Sequence, residues 1–335
     1  MSGTYDMLNF HPSKSGWIPP AERTSETIEA HADIIAKAPV VGTRGVSAAT
    51  RPKWSVAWAD QDRVAGAEQW RRNGHIKNIL QNTGSCVGLA VTNMIFWSSI
   101  TDAIWFADPT RVLFPFFGYH YGLGRLESGI RGTGDGSTGS GQAEALAKYG
   151  YLPHDLDGVP QPSNGDVIEW SGSVEMEWSD GARLPQKFLA EGKKHKFESY
   201  TLVKSIDQAV DLMASRYWGT TASDWGGLMQ CPVAGSGNSR VLLNRHADQW
   251  MHQQSVLGYW YHPTLGLLFA IGNQWGYPHG DDPERVVDEN TPPAAPPGVY
   301  WESQKDFQYM LDAGETFIFS GTPDFEARPG KYRMG

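Results

Sequence analysis

One cysteine stands where a thiol can be put to work. In Gln81-Asn82-Thr83-Gly84-Ser85-Cys86-Val87-Gly88-Leu89-Ala90, a tight Gly-Ser turn delivers Cys86 to the first turn of a long apolar helix. A helix N-terminus offers unpaired N–H groups and the positive end of the macrodipole, which favour thiolate over thiol. The thiolate is the nucleophilic form, so the position suits covalent catalysis. The plain alternative is a buried helix-start thiol, because free cysteine is among the most buried residues. Chemistry needs a base and a group that orients it.

Two apolar runs, Gln254–Tyr261 and Leu265–Ile271, supply both. Their near-continuous apolar character predicts strands covered on both faces. Tyr261-His262-Pro263-Thr264 joins them as a turn. A hairpin centred between His262 and Pro263 sets His252 opposite Asn273, where an amide can fix the tautomer and tilt of an imidazole. His246 competes with His252 for the role of base. His246, Asp248 and His252 can also be drawn as metal ligands, but no fourth ligand or compact motif supports that. Asn273 as a simple strand-end cap is the plain alternative to an orienter. Cys231, beside Pro232 in a polar loop, reads as a bystander.

These segments resemble the papain-like cysteine peptidases. Gly84-Ser85-Cys86 looks like that family's nucleophile segment. Trp250-Met251-His252, with Gly258-Tyr259 six residues on, is similar to its histidine strand, and Asn273-Gln274-Trp275-Gly276 to its Asn-Ser-Trp-Gly. The chain order Cys, His, Asn is the family's, and the likeness spans roughly residues 70 to 280. The resemblance implies an α+β, two-lobed papain-like fold. A helical lobe would carry the Cys86 helix, an antiparallel β lobe would carry His252 and Asn273, and the active-site cleft would lie between them. It also implies acyl transfer. Cys86 attacks a carbonyl, His252 moves the proton, Asn273 orients His252, and Trp275 shields that contact from water. The Cys86 backbone N–H and a side-chain amide hold the oxyanion. Two departures bear on this. The family's oxyanion glutamine lies six residues before the cysteine, which here is Leu80. Gln81 is one residue nearer, so Gln81 serves, Asn82 replaces it, or the donor is missing. The bulky Met251 stands where the family has a small residue and would narrow the cleft.

The positioning elements follow from pattern. A helix is expected over about Ser25–Ala38, with Ile28, Ala32 and Ile35 on its apolar face and Pro39 ending it. A second is expected from about Gln142 to Tyr149, capped by Ser140 and stopped by Gly150. Ser205-Ile206-Asp207-Gln208 reads as a capping box, and Ser303 with Asp306 caps a helix carrying Phe307, Met310 and Leu311. A last strand covers Thr316–Phe319. Residues 1–60 read as an N-terminal extension or arm, one use of which would be an inhibitory crossing of the cleft. Residues 61–335 read as the papain-like domain, with the helical lobe at about 61–200 and the β lobe at about 201–335.

Bulk properties narrow the classes. The chain has 335 residues, 14 Trp and 38 Gly, which suits a loop-rich globular protein. A net charge of −9 with no basic stripe argues against a nucleic-acid partner. Two cysteines make no disulfide framework. Val87–Ala107 is long and apolar, but Thr92, Asn93, Ser98, Ser99, Thr101 and Asp102 load it too heavily for bilayer, so no membrane span is expected. Gly134-Asp135-Gly136-Ser137-Thr138-Gly139 matches a dinucleotide fingerprint by letter but follows no apolar strand. Asp281-Asp282-Pro283-Glu284 reads as a solvated turn rather than a calcium loop. No cofactor and no metal are expected.

The functional expectation is a cysteine peptidase or related amide hydrolase with a peptide or other amide in its cleft. Chains without disulfides or a secretion signal that carry Gly-Ser-Cys-Val-Gly also resemble the papain-like proteins of tailed-phage virions. The endings Gly298-Val299-Tyr300-Trp301 and Glu315–Ser320 are similar to that group's. That resemblance implies a virion-associated protein, cytoplasmic when made, whose N-terminal extension meets other virion proteins. The alternative is a structural or adhesion protein that keeps the fold without catalysis.

Overall fold

The computed structural model describes residues 16–39, 51–59, 79–106, 108, 112–163, 168–228, 231–274, 285–322 and 325. Three helices build one lobe: α2 (Cys86–Phe106), α3 (Phe117–Glu127) and α4 (Gly139–Tyr149). They follow α1 (Ser25–Lys37), β1 (Trp54–Val56) and β2 (Ile79–Leu80). Then come β3 (Ile168–Glu169), α5 (Gly172–Glu177), α6 (Gln186–Gly192), β4 (Ser199–Leu202), α7 (Ile206–Ala214) and β5 (Gly219–Gly227). The rest is β6 (Val233–Ala234), β7 (Val241–Leu242), β8 (His246–His262), β9 (Gly266–Gly272), β10 (Val299–Ser303), α8 (Gln304–Asp312) and β11 (Glu315–Ser320).

The main sheet runs β10-β9-β8-β5-β11-β4, with β1 also on β8 and every pairing antiparallel. The stretch read as an N-terminal extension thus supplies one strand of the sheet. Trp58, Trp260 and Trp301 meet edge to face beside it, while Phe116, Phe117, Trp170 and Trp178 fill the helical side. The α2 helix is long and apolar enough to cross a membrane, yet nearly all of it is buried inside the protein. Asn93 donates to Ser255 Oγ at 2.9 Å, tying α2 to β8.

Several local expectations shift by a turn or a residue. The α4 cap is Thr138, whose hydroxyl accepts from Gly141 N, and the helix begins three residues earlier than expected. Gly150 ends it at φ 73°, a conformation glycine takes without penalty. Ser205 caps α7 through Gln208 N, but Gln208 returns its side chain to Lys204 N. In α1 the buried residues are Thr27 and Ile34, whereas Ile28 and Ala32 are exposed. The helix is turned by its polar anchors, described below, rather than by the expected stripe.

The β8–β9 hairpin turns at Pro263–Leu265 instead of between His262 and Pro263, so His262 pairs with Gly266. Thr264 N and Leu265 N both donate to His262 Nδ1, which closes this wider turn. A bulge at Leu257 then slips the ladder by one residue, and it ends at Ser255–Gly272. His252 pairs instead with Ser223 on the other neighbour, β5.

Candidate active site

The nucleophile loop is held from below by a carboxylate that sequence reading missed. Glu175, on α5, accepts from Asn82 N at 3.2 Å, Thr83 N at 2.9 Å and Ser85 Oγ at 2.6 Å, and from the Thr83 hydroxyl. Burial holds its carboxyl above the ordinary range, with those donors opposing the rise. Asn82 Nδ2 donates to Trp170 O at 2.7 Å, which ties the loop to the chain just after β3. Gly84 N meets Asp135 Oδ1 at 3.0 Å, and a Cβ on Gly84 would lie 2.8 Å from that side chain, which fixes glycine there.

Gln81 is buried. Its N–H donates to Gln274 O at 2.9 Å, joining this loop to the segment after Asn273. Its Nε2 donates to Thr83 O at 2.6 Å.

Cys86 opens α2 and is fully buried. Burial pushes its thiol up to about 12, against hydrogen bonds from the backbone of Gln253, Gly16, Val87 and Trp17. The helix-start argument for a thiolate is therefore outweighed by desolvation in this closed state.

Asn273 reaches His252 without standing opposite it in the ladder. After Gly272 the chain leaves β9, and Asn273 N donates to Gly298 O at 2.8 Å. Its Oδ1 then meets His252 Nε2 at 2.9 Å and Gln274 N at 2.8 Å. A backbone N–H can only donate, so Oδ1 is the acceptor and Nε2 carries the proton. Nδ1 is then the basic nitrogen of the neutral ring. Burial lowers His252 to about 4, with the Asn273 bond opposing. Cys86 reaches the same strand through the backbone of Gln253, the residue after His252.

The N-terminal stretch lies across this site. Trp17 N donates to Met251 O at 3.2 Å, Ile18 N to Ser137 O at 3.0 Å and Ser137 N to Gly16 O at 2.8 Å. Backbone from 16 to 18 thus bridges the β lobe and the loop before α4. The Trp17 side chain packs with Cys86, Val87 and Ala222, with Met251 against them. Met251, read as a residue that narrows the cleft, is the support on which Trp17 rests. Farther along, Arg23 pairs with Glu315, both side chains nearly inaccessible. Glu315 Oε2 also accepts Gly139 N at 2.6 Å and Ser140 N at 3.2 Å, at the start of α4. His31 Nδ1 meets Ser140 Oγ at 2.8 Å. These polar anchors set the roll of α1.

The remaining candidates separate from this centre. Trp275 and the 281–284 loop lie outside the described residues. His246 packs on Tyr309 and Trp225, and among the described residues no three His, Cys, Asp or Glu side chains gather as a metal site. Cys231 is half-buried, and burial with the nearby Glu302 raises its thiol to about 12. The glycines around 134–139 belong to the loop that receives the arm.

No family model matches the chain, and no curated protein matches it. Solved structures do. Xylellain, a cysteine protease from Xylella fastidiosa, is similar at TM-score 0.56 and 14% identity, over 92% of this chain and 96% of that one. Digestive procathepsin L 3 of Tenebrio molitor matches at TM-score 0.44 and 13% identity, over 92% and 83%. Bromelain from Ananas comosus matches at TM-score 0.41 and 12% identity, over 75% and 96%. Helices around a buried cysteine helix, an antiparallel sheet carrying His252, and this likeness make the fold α+β and papain-like.

Proposed function

We propose that the protein is a cysteine peptidase or related amide hydrolase, held latent by its own N-terminal stretch. The observation that carries the reading is the 2.9 Å contact of His252 Nε2 with Asn273 Oδ1, beside a fold in which Cys86 opens the central helix. In the open state Cys86 gives its proton to His252 Nδ1 and attacks the substrate carbonyl carbon. The carbonyl oxygen becomes an oxyanion, held by the Cys86 backbone N–H and the Gln81 side-chain amide. His252 returns the proton to the leaving amine as the C–N bond breaks. Water, deprotonated by His252, then releases the acyl group and restores the thiol. Asn273 keeps His252 in the tautomer this cycle needs, and Trp275 is proposed as the shield of that contact.

The test is labelling with a thiol-directed epoxide at mildly acidic pH. In full-length protein, with Trp17 over the sulfur, Cys86 labels slowly. Deleting residues 1–24 or making Trp17→Ala accelerates it, and His252→Ala abolishes the gain. Equal, slow labelling of Cys86 and Cys231 in the opened protein sinks the proposal. Once activity is seen, Gln81→Ala lowers kcat by about 10²–10³ if its amide serves the oxyanion.

The second reading is a structural protein that keeps the fold. It is favoured by the Gln81 amide turned to Thr83 O and by a thiol and imidazole both neutral in the closed state. We also propose a virion-associated setting, with cytoplasmic synthesis. Only the sequence resemblance of the nucleophile segment and the two C-terminal strands supports it. Proteomics of purified particles tests it.

A further inference from the structure

Cys86 and His252 sit on different lobes, so their spacing depends on what spans the seam. Asn93 lies on α2 seven residues after Cys86, about two helical turns on and hence on the same face. Ser255 lies on β8 three residues after His252 and is fully buried. Asn93 Nδ2 donates to Ser255 Oγ at 2.9 Å, and that hydroxyl in turn donates to Gly272 O at 3.1 Å. Gln274 Nε2 donates to the same carbonyl at 3.0 Å. The direction of this line is fixed. An amide NH₂ only donates, the hydroxyl has one proton to give, and the carbonyl has two lone pairs for the two donors.

The line ends where Asn273 is delivered. Ser255–Gly272 is the last pair of the β8–β9 ladder, and the next N–H, that of Asn273, turns away to Gly298 O. The Gly272 carbonyl is therefore the last fixed point before the side chain that holds His252. Gln274 fastens the far side. Its N–H donates to Asn273 Oδ1 at 2.8 Å, and its carbonyl accepts Gln81 N at 2.9 Å.

Two features mark the line as more than packing. A Cβ on Gly272 would lie 2.4 Å from Ser255 Oγ and 2.6 Å from Asn93 Nδ2, so glycine leaves the room that the polar pair occupies. Gln274 is fully buried, and its Oε1 has no hydrogen-bond partner among the described residues. An apolar side chain would avoid that cost, and what the amide gains in return is its bond to Gly272 O. A buried polar line of this kind specifies one arrangement of the elements it joins, where apolar contacts tolerate several.

We propose that Asn93 and Ser255 are positioning residues: through Gly272 O they fix the Asn273 turn, and with it His252, relative to the helix that carries Cys86. Only the purpose of the alignment, a nucleophile set against its base, rests on the peptidase reading; the alignment itself does not.

The test reads the His252 ring itself, by NMR of proton exchange at Nε2 in the full-length protein, beside urea unfolding. Asn93→Leu and Ser255→Ala each speed exchange of the His252 Nε2 proton by about tenfold or more. Asn93→Leu/Ser255→Ala removes both partners, so its urea midpoint returns toward that of wild type, while exchange stays fast. If a single variant does not fold, the double variant is compared with wild type alone. Unchanged exchange overturns the proposal. So does a double variant in which exchange recovers together with stability, which is how packing alone behaves. In a Trp17→Ala background the double variant also slows epoxide labelling of Cys86 by about tenfold or more; equal labelling overturns the proposal. If Cys86 is inert in Trp17→Ala itself while exchange follows the expected pattern, the peptidase reading fails and the positioning line stands.

Discussion

Glu175 and Glu315 are both buried carboxylates near Cys86, and they are satisfied in opposite ways. Glu175 takes hydrogen bonds from three residues of one loop, Asn82, Thr83 and Ser85, and among the described residues pairs with no cation. Glu315 takes two N–H groups from α4 and a guanidinium from a segment 292 residues away. The first arrangement is permanent, because its donors belong to the folded wall itself. The second is conditional, because the charge partner rides on a strap that lies over the site. A buried carboxylate that holds its own loop is a brace. One that waits for a cation is a latch.

The comparison can be broken in order of expected effect. Glu175→Ala leaves several buried donors unmet and costs about 4 kcal/mol or more in denaturant unfolding. A loss below about 1 kcal/mol would remove the brace. Arg23→Ala strands a buried charge and costs about 3 kcal/mol. Unlike Glu175→Ala, it also speeds epoxide labelling of Cys86; equal labelling would make Arg23 a brace as well.

A third carboxylate sharpens the pair. Glu302 is wholly buried, and burial with the nearby Asp306 charge holds its carboxyl well above the usual range. A raised carboxyl binds its proton more tightly folded than unfolded. Its stabilising share is full below the ordinary carboxyl pKa and is lost as pH rises through the raised value. Glu302→Gln therefore gains stability relative to wild type between pH 4 and 8, read as a growing difference in urea midpoint. The smallest effect belongs to His31. Its pKa is depressed to about 4, so the unfolded chain takes up the proton first. Its contribution is present above about 6.5 and fades as pH falls toward 4. His31→Gln flattens that part of the stability curve and leaves Cys86 labelling unchanged at pH 7.

What could be read from the sequence was local. The start of α2 follows from Gly84-Ser85-Cys86, and the paired strands follow from their apolar runs. The register did not, because a three-residue turn and the Leu257 bulge are set by packing that no periodicity encodes. The contact between His252 and Asn273 was anticipated from the wrong geometry: it forms where Asn273 departs from the ladder. Glu175 and Glu315 carried no signal, since a lone acidic residue gains meaning only from partners about a hundred or more positions away. Trp17 and Arg23 lay in a stretch whose composition reads as an appendage, and their role depends on where the chain returns. The cap of α4 fell to Thr138 rather than Ser140 because either hydroxyl suits that chemistry.

The Arg23–Glu315 pair has one more consequence, in time rather than space. A chain is made from its N-terminus, so Arg23 emerges early and Glu315 among the last residues of the fold. Cys86, His252 and Asn273 are all synthesised before the carboxylate that fastens the strap. This ion pair is therefore the last fastening of the strap to form, and a product that stops short of β11 has every proposed reactive group and the backbone bonds of residues 16–18 but lacks the charged anchor.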